Sequence, residues 1–194
     1  MHSSVLRFAR TIAPFIAPGR DILEVGSQDV NGSVRPIFLA FSPASYLGVD
    51  AAAGKGVDRV VPAESLESEF HEASFSLVIS TETLEHVQPI WRIVSGMKRV
   101  LRPGGYLFVT TRSPGFPYHG YPDDFWRFTT ATMASLFGDM DVVILEEDPE
   151  FPGVFMVAKK PHEFRLKEFS ILDVFNNVPV VTRPEVVADA KTQA

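Results

Sequence analysis

Gly26, Asp50, His86 and His119 are the residues of this chain whose types and settings suit binding and chemistry. Gly26 follows the short apolar run Asp21-Ile22-Leu23-Glu24-Val25, and a glycine there lets a ligand approach the backbone where a β-carbon would intrude. Asp50 ends a second run, Ser45-Tyr46-Leu47-Gly48-Val49, where a carboxylate is able to accept both hydroxyls of a ribose. Each has a plain structural alternative, a turn glycine and a helix cap. Together, on the ends of neighbouring strands, they point to a nucleoside site. His86, in Leu84-Glu85-His86-Val87, stands just past the run Phe75–Ser80, and its imidazole is suited either to proton transfer or to shaping a pocket. Glu82 and Glu85 beside it are acids that favour a nearby cation, or solvated acids at a helix start.

A second concentration of chemical groups lies in Pro117-Tyr118-His119-Gly120-Tyr121-Pro122-Asp123-Asp124-Phe125-Trp126-Arg127-Phe128-Thr129. His119 and the two tyrosines are candidates to meet a substrate, His119 also as a base. Tyr118, Tyr121, Asp123, Trp126 and Arg127 complete the candidate substrate-binding set. The alternative is packing by the aromatic residues, with Arg127 paired to Asp123 or Asp124 so that the loop holds itself together.

The elements that must position these groups follow from periodicity. Val5, Leu6, Ala9, Ile12 and Ile16 recur at helical spacing, so residues 3–16 read as an amphipathic helix ended by Pro18-Gly19. Short apolar runs at 21–25, 45–50, 57–61, 75–80 and 106–111 read as buried parallel strands, with helices expected at 34–41 and 88–101 between them. Pro103-Gly104-Gly105 is expected to end the second of these helices. Thr129–Phe137 reads as a capped helix, and 142–146 and 154–158 as an antiparallel hairpin at the sheet edge. The expected architecture is a doubly wound α/β fold with a mostly parallel seven-stranded sheet and ligands at the carboxyl ends of its strands. Residues 1–160 are expected to form one domain. Residues 161–194 form a C-terminal extension, docked through apolar residues from Phe164 to Phe175 and loose beyond 184.

Composition narrows the function. The 194 residues carry 18 Lys and Arg against 24 Asp and Glu, a net charge of −6, which argues against a protein that lives on nucleic-acid phosphates. The chain has no cysteine, which removes disulfides, thiolate nucleophiles and thiolate zinc sites. No dense Cys/His cluster indicates a metal. The apolar N-terminal stretch is interrupted by Pro14 and has arginines within it, and it falls short of the roughly 20 apolar residues of a membrane span. A cytoplasmic protein is expected, and the oligomeric state is open.

Five stretches, in order, carry a resemblance to a known family: "DILEVGS", "YLGVD", "PAESL", "FSLVISTETLEHV" and "MKRVLRPGGYLFVTT". Over residues 20–160 the chain resembles the class I S-adenosylmethionine-dependent methyltransferases, in particular small bacterial and phage-type members. The resemblance implies S-adenosyl-L-methionine as cofactor and methyl transfer as the reaction; an acidic chain with no basic tract suits a small molecule, sugar or lipid precursor as acceptor, methylated on oxygen or nitrogen. The resemblance also implies cofactor contacts by Glu24, Gly26, Ser27, Gln28, Asp50, Ala51, Ala63, Glu64, Thr81 and Glu82, with His86 and His119 as catalytic candidates. The run Gly26-Ser27-Gln28-Asp29-Val30-Asn31-Gly32 departs from the family's three alternating glycines, and Pro62 stands where an acid is frequent. Two other readings remain: a binding or assembly module that keeps the fold without catalysis, and a nicotinamide-dependent oxidoreductase, for which the G-x-G-x-x-G fingerprint is absent.

Overall fold

The computed structural model describes residues 1–120 and 123–167. The strands β1 (Asp21–Val25), β2 (Ser45–Asp50), β3 (Arg59–Val60), β4 (Phe75–Thr81), β5 (Leu101–Arg112), β6 (Asp141–Glu147) and β7 (Gly153–Lys159) form one sheet. Their order is β3-β2-β1-β4-β5-β7-β6. The first five run parallel, and β7 lies antiparallel between β5 and β6. The chain winds outward from β1 to β3 and then crosses back to β4, so the direction of winding reverses between β1 and β4. A crevice opens at the strand carboxyl ends at such a reversal.

Alternation along the strands explains why helices cover both faces. Ile22, Leu77, Ile79 and Phe108 point to one side, where Val5, Phe8, Ala9 and Ile12 of α1 (Ser3–Ile16) and Phe38 of α2 (Arg35–Leu39) meet them. Phe8 stacks on Phe108 and Phe155, with ring centroids 5.0 and 4.7 Å away. Leu23, Val25, Val78, Leu107 and Val109 point to the other side. There they pack with Leu66 of α3 (Leu66–Glu69), Ile90, Ile93, Val94, Met97 and Val100 of α4 (Ile90–Val100), and Met133 and Leu136 of α5 (Thr130–Leu136). Burial of each such side chain stabilises the fold by about 1.5–3 kcal/mol, so the central strands are fixed from both faces.

Several expectations are sharpened. Thr129 caps α5 by accepting from the Thr132 amide at 3.1 Å, satisfying one of the free N–H groups of the first turn. Pro103-Gly104-Gly105 does not end a helix: α4 stops at Val100, and β5 starts at once. The register beside β4 jumps from Leu101 to Tyr106, which makes Arg102–Gly105 a bulge within the strand. Gly104 adopts φ +76° there and donates to the Lys160 carbonyl at 2.7 Å. Phe164 packs on the main core, whereas the rest of the expected docking segment, from 168 on, lies outside the described residues. So does Tyr121. Among the described residues no helix is long and apolar enough to cross a membrane.

Candidate active site

At the carboxyl ends of β1, β2 and β4 a cavity of about 900 Å³ is lined by Gly26, Gln28, Asp50, Ala51, Ala63, Glu64, Thr81, Glu82, Thr83, His86 and His119, among others. That volume is within the range of pockets that enclose drug-sized ligands, roughly 300–1,000 Å³. Ten of the residues singled out in the sequence therefore share one space: Gly26, Gln28, Asp50, Ala51, Ala63, Glu64, Thr81, Glu82, His86 and His119.

The β1 exit is built without the usual glycines. Gly26 takes φ +78°, and its amide and that of Ser27 donate to the Val49 carbonyl at 2.9 and 3.0 Å. The Asp50 carboxylate accepts from the Gln28 amide at 3.0 Å, closing the turn. The demand for small residues passes to the loop after β2. A β-carbon on Gly54 would stand 2.6 Å from the Gln28 side chain, and one on Gly56 would stand 2.6 Å from the Ser27 carbonyl oxygen. Gly54 and Gly56 thus give the bulkier first loop the room that alternating glycines would otherwise provide.

Two predicted cofactor residues do not line the cavity. Glu24 is buried and accepts from the Tyr46 hydroxyl at 2.7 Å. Burial pushes its carboxyl up to about 7, with the Tyr46 bond working against the rise. Ser27 is buried beside Gly48, and its hydroxyl has no hydrogen-bond partner.

At the β4 exit, Glu82 sits at φ +53°, an uncommon conformation for a non-glycine residue. Its carboxylate accepts from Thr110 Oγ1 at 2.9 Å and from Arg112 Nε. Burial and the Glu85 carboxylate push Glu82 up to about 7, while Arg112 and Thr110 pull it down. Arg112 is fully buried at the end of β5, with Asp148 Oδ2 3.3 Å away on its other side. The strand expected at 106–111 stops one residue short of Arg112, whose place at the end of an apolar run was the available signal.

The segment after β5 folds back onto the β4 exit. The amides of Phe125 and Trp126 donate to the Glu85 carbonyl at 2.8 and 3.3 Å, and Trp126 Nε1 donates to the Val87 carbonyl at 2.9 Å. Arg127 pairs with Asp124, not Asp123, and also donates to the carbonyls of Phe116, Pro117 and Trp126. Asp123 instead offers its carbonyl to His86 Nδ1 at 2.6 Å. Asp123, Trp126 and Arg127 therefore fasten the loop, and these residues and Tyr118 stand outside the cavity lining. His119 reaches the cavity between two acids, with Nδ1 2.9 Å from Asp124 Oδ2 and Nε2 3.7 Å from Glu85 Oε1. Burial disfavours the imidazolium, but the two carboxylates outweigh it and hold His119 above its ordinary value. For the fully buried Glu85, burial works to raise the carboxyl, while His119, His86 and Thr111 more than offset it and hold it low.

Met1 and His2 also line the cavity, which no local sequence signal announces. The Met1 amine donates to the Asn31 carbonyl at 2.7 Å, and the His2 ring lies against Phe116 and Phe151.

Residues 36–109 match the family model described as a methyltransferase domain. The chain is 30% identical over 120 residues to the ubiquinone biosynthesis O-methyltransferase of Thiobacillus denitrificans, a match covering 55% of this chain and 49% of that protein. It is 42% identical over 63 residues to the 27-O-demethylrifamycin SV methyltransferase of Amycolatopsis mediterranei, covering 29% and 23% of the two chains. It thus spans about half, or less, of the length of the curated relatives it matches. Among solved structures it resembles the 1,6-didemethyltoxoflavin-N1-methyltransferase of Burkholderia thailandensis, which holds S-adenosylhomocysteine and 1,6-didemethyltoxoflavin. The TM-score is 0.66 at 17% identity, over 81% of this chain and 78% of that one. The strand order and the likeness to that solved structure agree on a methyltransferase-type fold, and residues 36–109 are similar to the methyltransferase domain.

Proposed function

We propose that the chain is a methyltransferase that binds S-adenosylmethionine in the cavity at the β1, β2 and β4 exits and methylates a small-molecule acceptor. The observation that carries this reading is the convergence of Gly26, Asp50, Ala63, Glu64 and Thr81 on one space of nucleoside-ligand size. Asp50 spends one acceptor site on the Gln28 amide, and a carboxylate has about four such sites, which leaves capacity for ribose hydroxyls. Thr81 lines the cavity with a buried hydroxyl that lacks a hydrogen-bond partner. These features fit an adenosyl ligand.

Bound there, S-adenosylmethionine supplies a methyl group on a positively charged sulfur that departs with the carbon–sulfur electron pair. The protein supplies proximity, alignment and exclusion of water. Glu82 and Glu85 place negative charge at the β4 exit, partly balanced by Arg112, and this suits a cationic sulfur. His86 and His119 also line the cavity, and the acceptor's attacking atom would stand against them. The relatives named for O- and N-methylation of small molecules support an acceptor of that kind, as does an acidic chain without a basic tract.

Thermal unfolding with S-adenosylhomocysteine and with NAD tests the reading. At a hundredfold excess over Kd, a ligand adds about 2.7 kcal/mol, which raises Tm by about 5–10 °C for a domain of this size. A rise with S-adenosylhomocysteine alone is expected. A rise with NAD alone, or with neither, would overturn the assignment.

A further inference from the structure

Glu85, His86 and His119 offer one ligand atom each within 4.8 Å of one another; His86 and His119 line the cavity, and Glu85 is fully buried. The group comes from two distant segments, the β4 exit and the loop after β5, so no sequence cluster announces it. Glu85 and His86 are each held by a hydrogen bond at an atom other than the one they present. Glu85 accepts from Thr111 Oγ1 through Oε2 at 2.8 Å. Its other oxygen, Oε1, is fully buried, has no hydrogen-bond partner and points at His119. The 3.7 Å to His119 Nε2 is too long for a hydrogen bond, so the ion pair leaves that oxygen unsatisfied. His86 Nδ1 meets the Asp123 carbonyl, which only accepts; the proton is therefore on Nδ1, and the Nε2 lone pair is available. His119 Nδ1 stands beside Asp124, which Arg127 fixes in turn. The two rings lie 4.9 Å apart at 70°.

We propose that Glu85, His86 and His119 bind a divalent first-row transition-metal ion at the acceptor end of the cavity. Two histidines and one carboxylate, with Glu85 and His86 oriented by outer hydrogen bonds and His119 standing beside the Asp124 carboxylate, form a donor set suited to zinc, iron(II), cobalt(II) or manganese(II). Ligands about 2.0–2.2 Å from a common ion stand about 3.0–3.5 Å apart in tetrahedral or octahedral arrangement. Binding an ion would require the three side chains to draw together from their present spacing. Glu82 is not a ligand, because Arg112 and Thr110 occupy its carboxylate. Three protein ligands leave positions open toward the cavity. An ion held there would make a coordinated acceptor hydroxyl more acidic; its proton would leave to solvent, and the oxygen would take the methyl group as the carbon–sulfur bond breaks and its electron pair stays on sulfur. His86 and His119 then act through the ion rather than as bases. This catalytic consequence rests on the methyltransferase reading; the metal site itself does not.

The test uses the full chain after chelator treatment, titrated with Co²⁺ by visible absorption and with Mn²⁺ by calorimetry. Binding of one ion per chain is expected, with affinity at least about tenfold lower in Glu85→Gln and in His119→Asn. His119→Asn lies on a partly exposed loop and serves if the buried Glu85 variant fails to fold. S-adenosylhomocysteine binding, measured separately, should survive chelation. Absence of one-to-one binding of either ion below millimolar concentration, or equal affinity in wild type and His119→Asn, would overturn the metal site. Failure of S-adenosylhomocysteine to bind in any metal state would instead overturn the methyltransferase reading.

Discussion

A β-carbon on Gly26 would stand 2.0 Å from Thr83 Oγ1, so the exits of β1 and β4 close against each other at a spot with no room for a side chain. Thr83 is held there by its own bonds to the carbonyls of Thr81 at 3.0 Å and Val25 at 3.4 Å. The contact fixes the spacing of two loops that both line the cavity.

Gly26→Ala is therefore expected to be costly twice, through the clash and through φ +78°. A loss of about 1–3 kcal/mol is expected from the strained backbone alone, with a fall in S-adenosylhomocysteine affinity. Adding Thr83→Gly removes the clash and should recover part of the stability but not the part due to φ. Chemical denaturation of the single and double variants checks this; a Gly26→Ala protein as stable as wild type would contradict it.

Glu24 makes stability depend on pH. Its folded-state carboxyl lies near 7, against an ordinary value of 4.5, chiefly because it is buried. The stabilisation by the protonated form is complete below about pH 4.5 and is lost as pH rises through about 7. Glu24→Gln keeps an acceptor for the Tyr46 hydroxyl and carries no charge. A tenfold change in acidity corresponds to about 1.4 kcal/mol, so the variant should gain stability over wild type by a few kcal/mol between pH 5 and pH 8. Thermal melts across that range that show a constant difference would refute the buried, neutral Glu24.

Arg112 neutralises two acids in the interior. Its guanidinium has no solvent exposure and lies between Glu82 and Asp148. Arg112→Met leaves both carboxylates without their cation, an uncompensated burial that costs about 3–5 kcal/mol. Combining it with Glu82→Gln and Asp148→Asn should restore much of the loss. Unfolding curves for the single and triple variants decide the point, and a single variant within about 0.5 kcal/mol of wild type would show that Arg112 does not hold this end of the sheet.

The sheet was legible because its central strands alternate between two buried faces: Ile22 against Leu23, Leu77 against Val78, Phe108 against Val109. Asp50 and Gly26 were legible because strand ends in a doubly wound sheet converge at the reversal of winding. The Arg102–Gly105 bulge was not, because Pro-Gly-Gly reads locally as a terminator, whereas pairing of Gly104 and Gly105 with Lys160 holds it against the sheet. Nor did the sequence distinguish Asp123 from Asp124 as the partner of Arg127, since adjacent acids differ only in the direction the backbone gives them. The Glu85–His86–His119 group and the closure of the cavity by Met1 and His2 depend on tertiary folding alone.

The central claim is that this cavity binds S-adenosylmethionine with Asp50 on the ribose, and isothermal titration of S-adenosylhomocysteine into wild type, Asp50→Asn and Asp50→Ala tests it most directly. Hydrogen bonds to a charged group contribute about 1.5–3 kcal/mol each, so Asp50→Ala should lower affinity by at least about tenfold. Asp50→Asn, able to keep the Gln28 amide bond, should fall between. Saturable one-to-one binding that weakens in that order is the predicted result; no binding by wild type, or equal affinity in all three proteins, would contradict it.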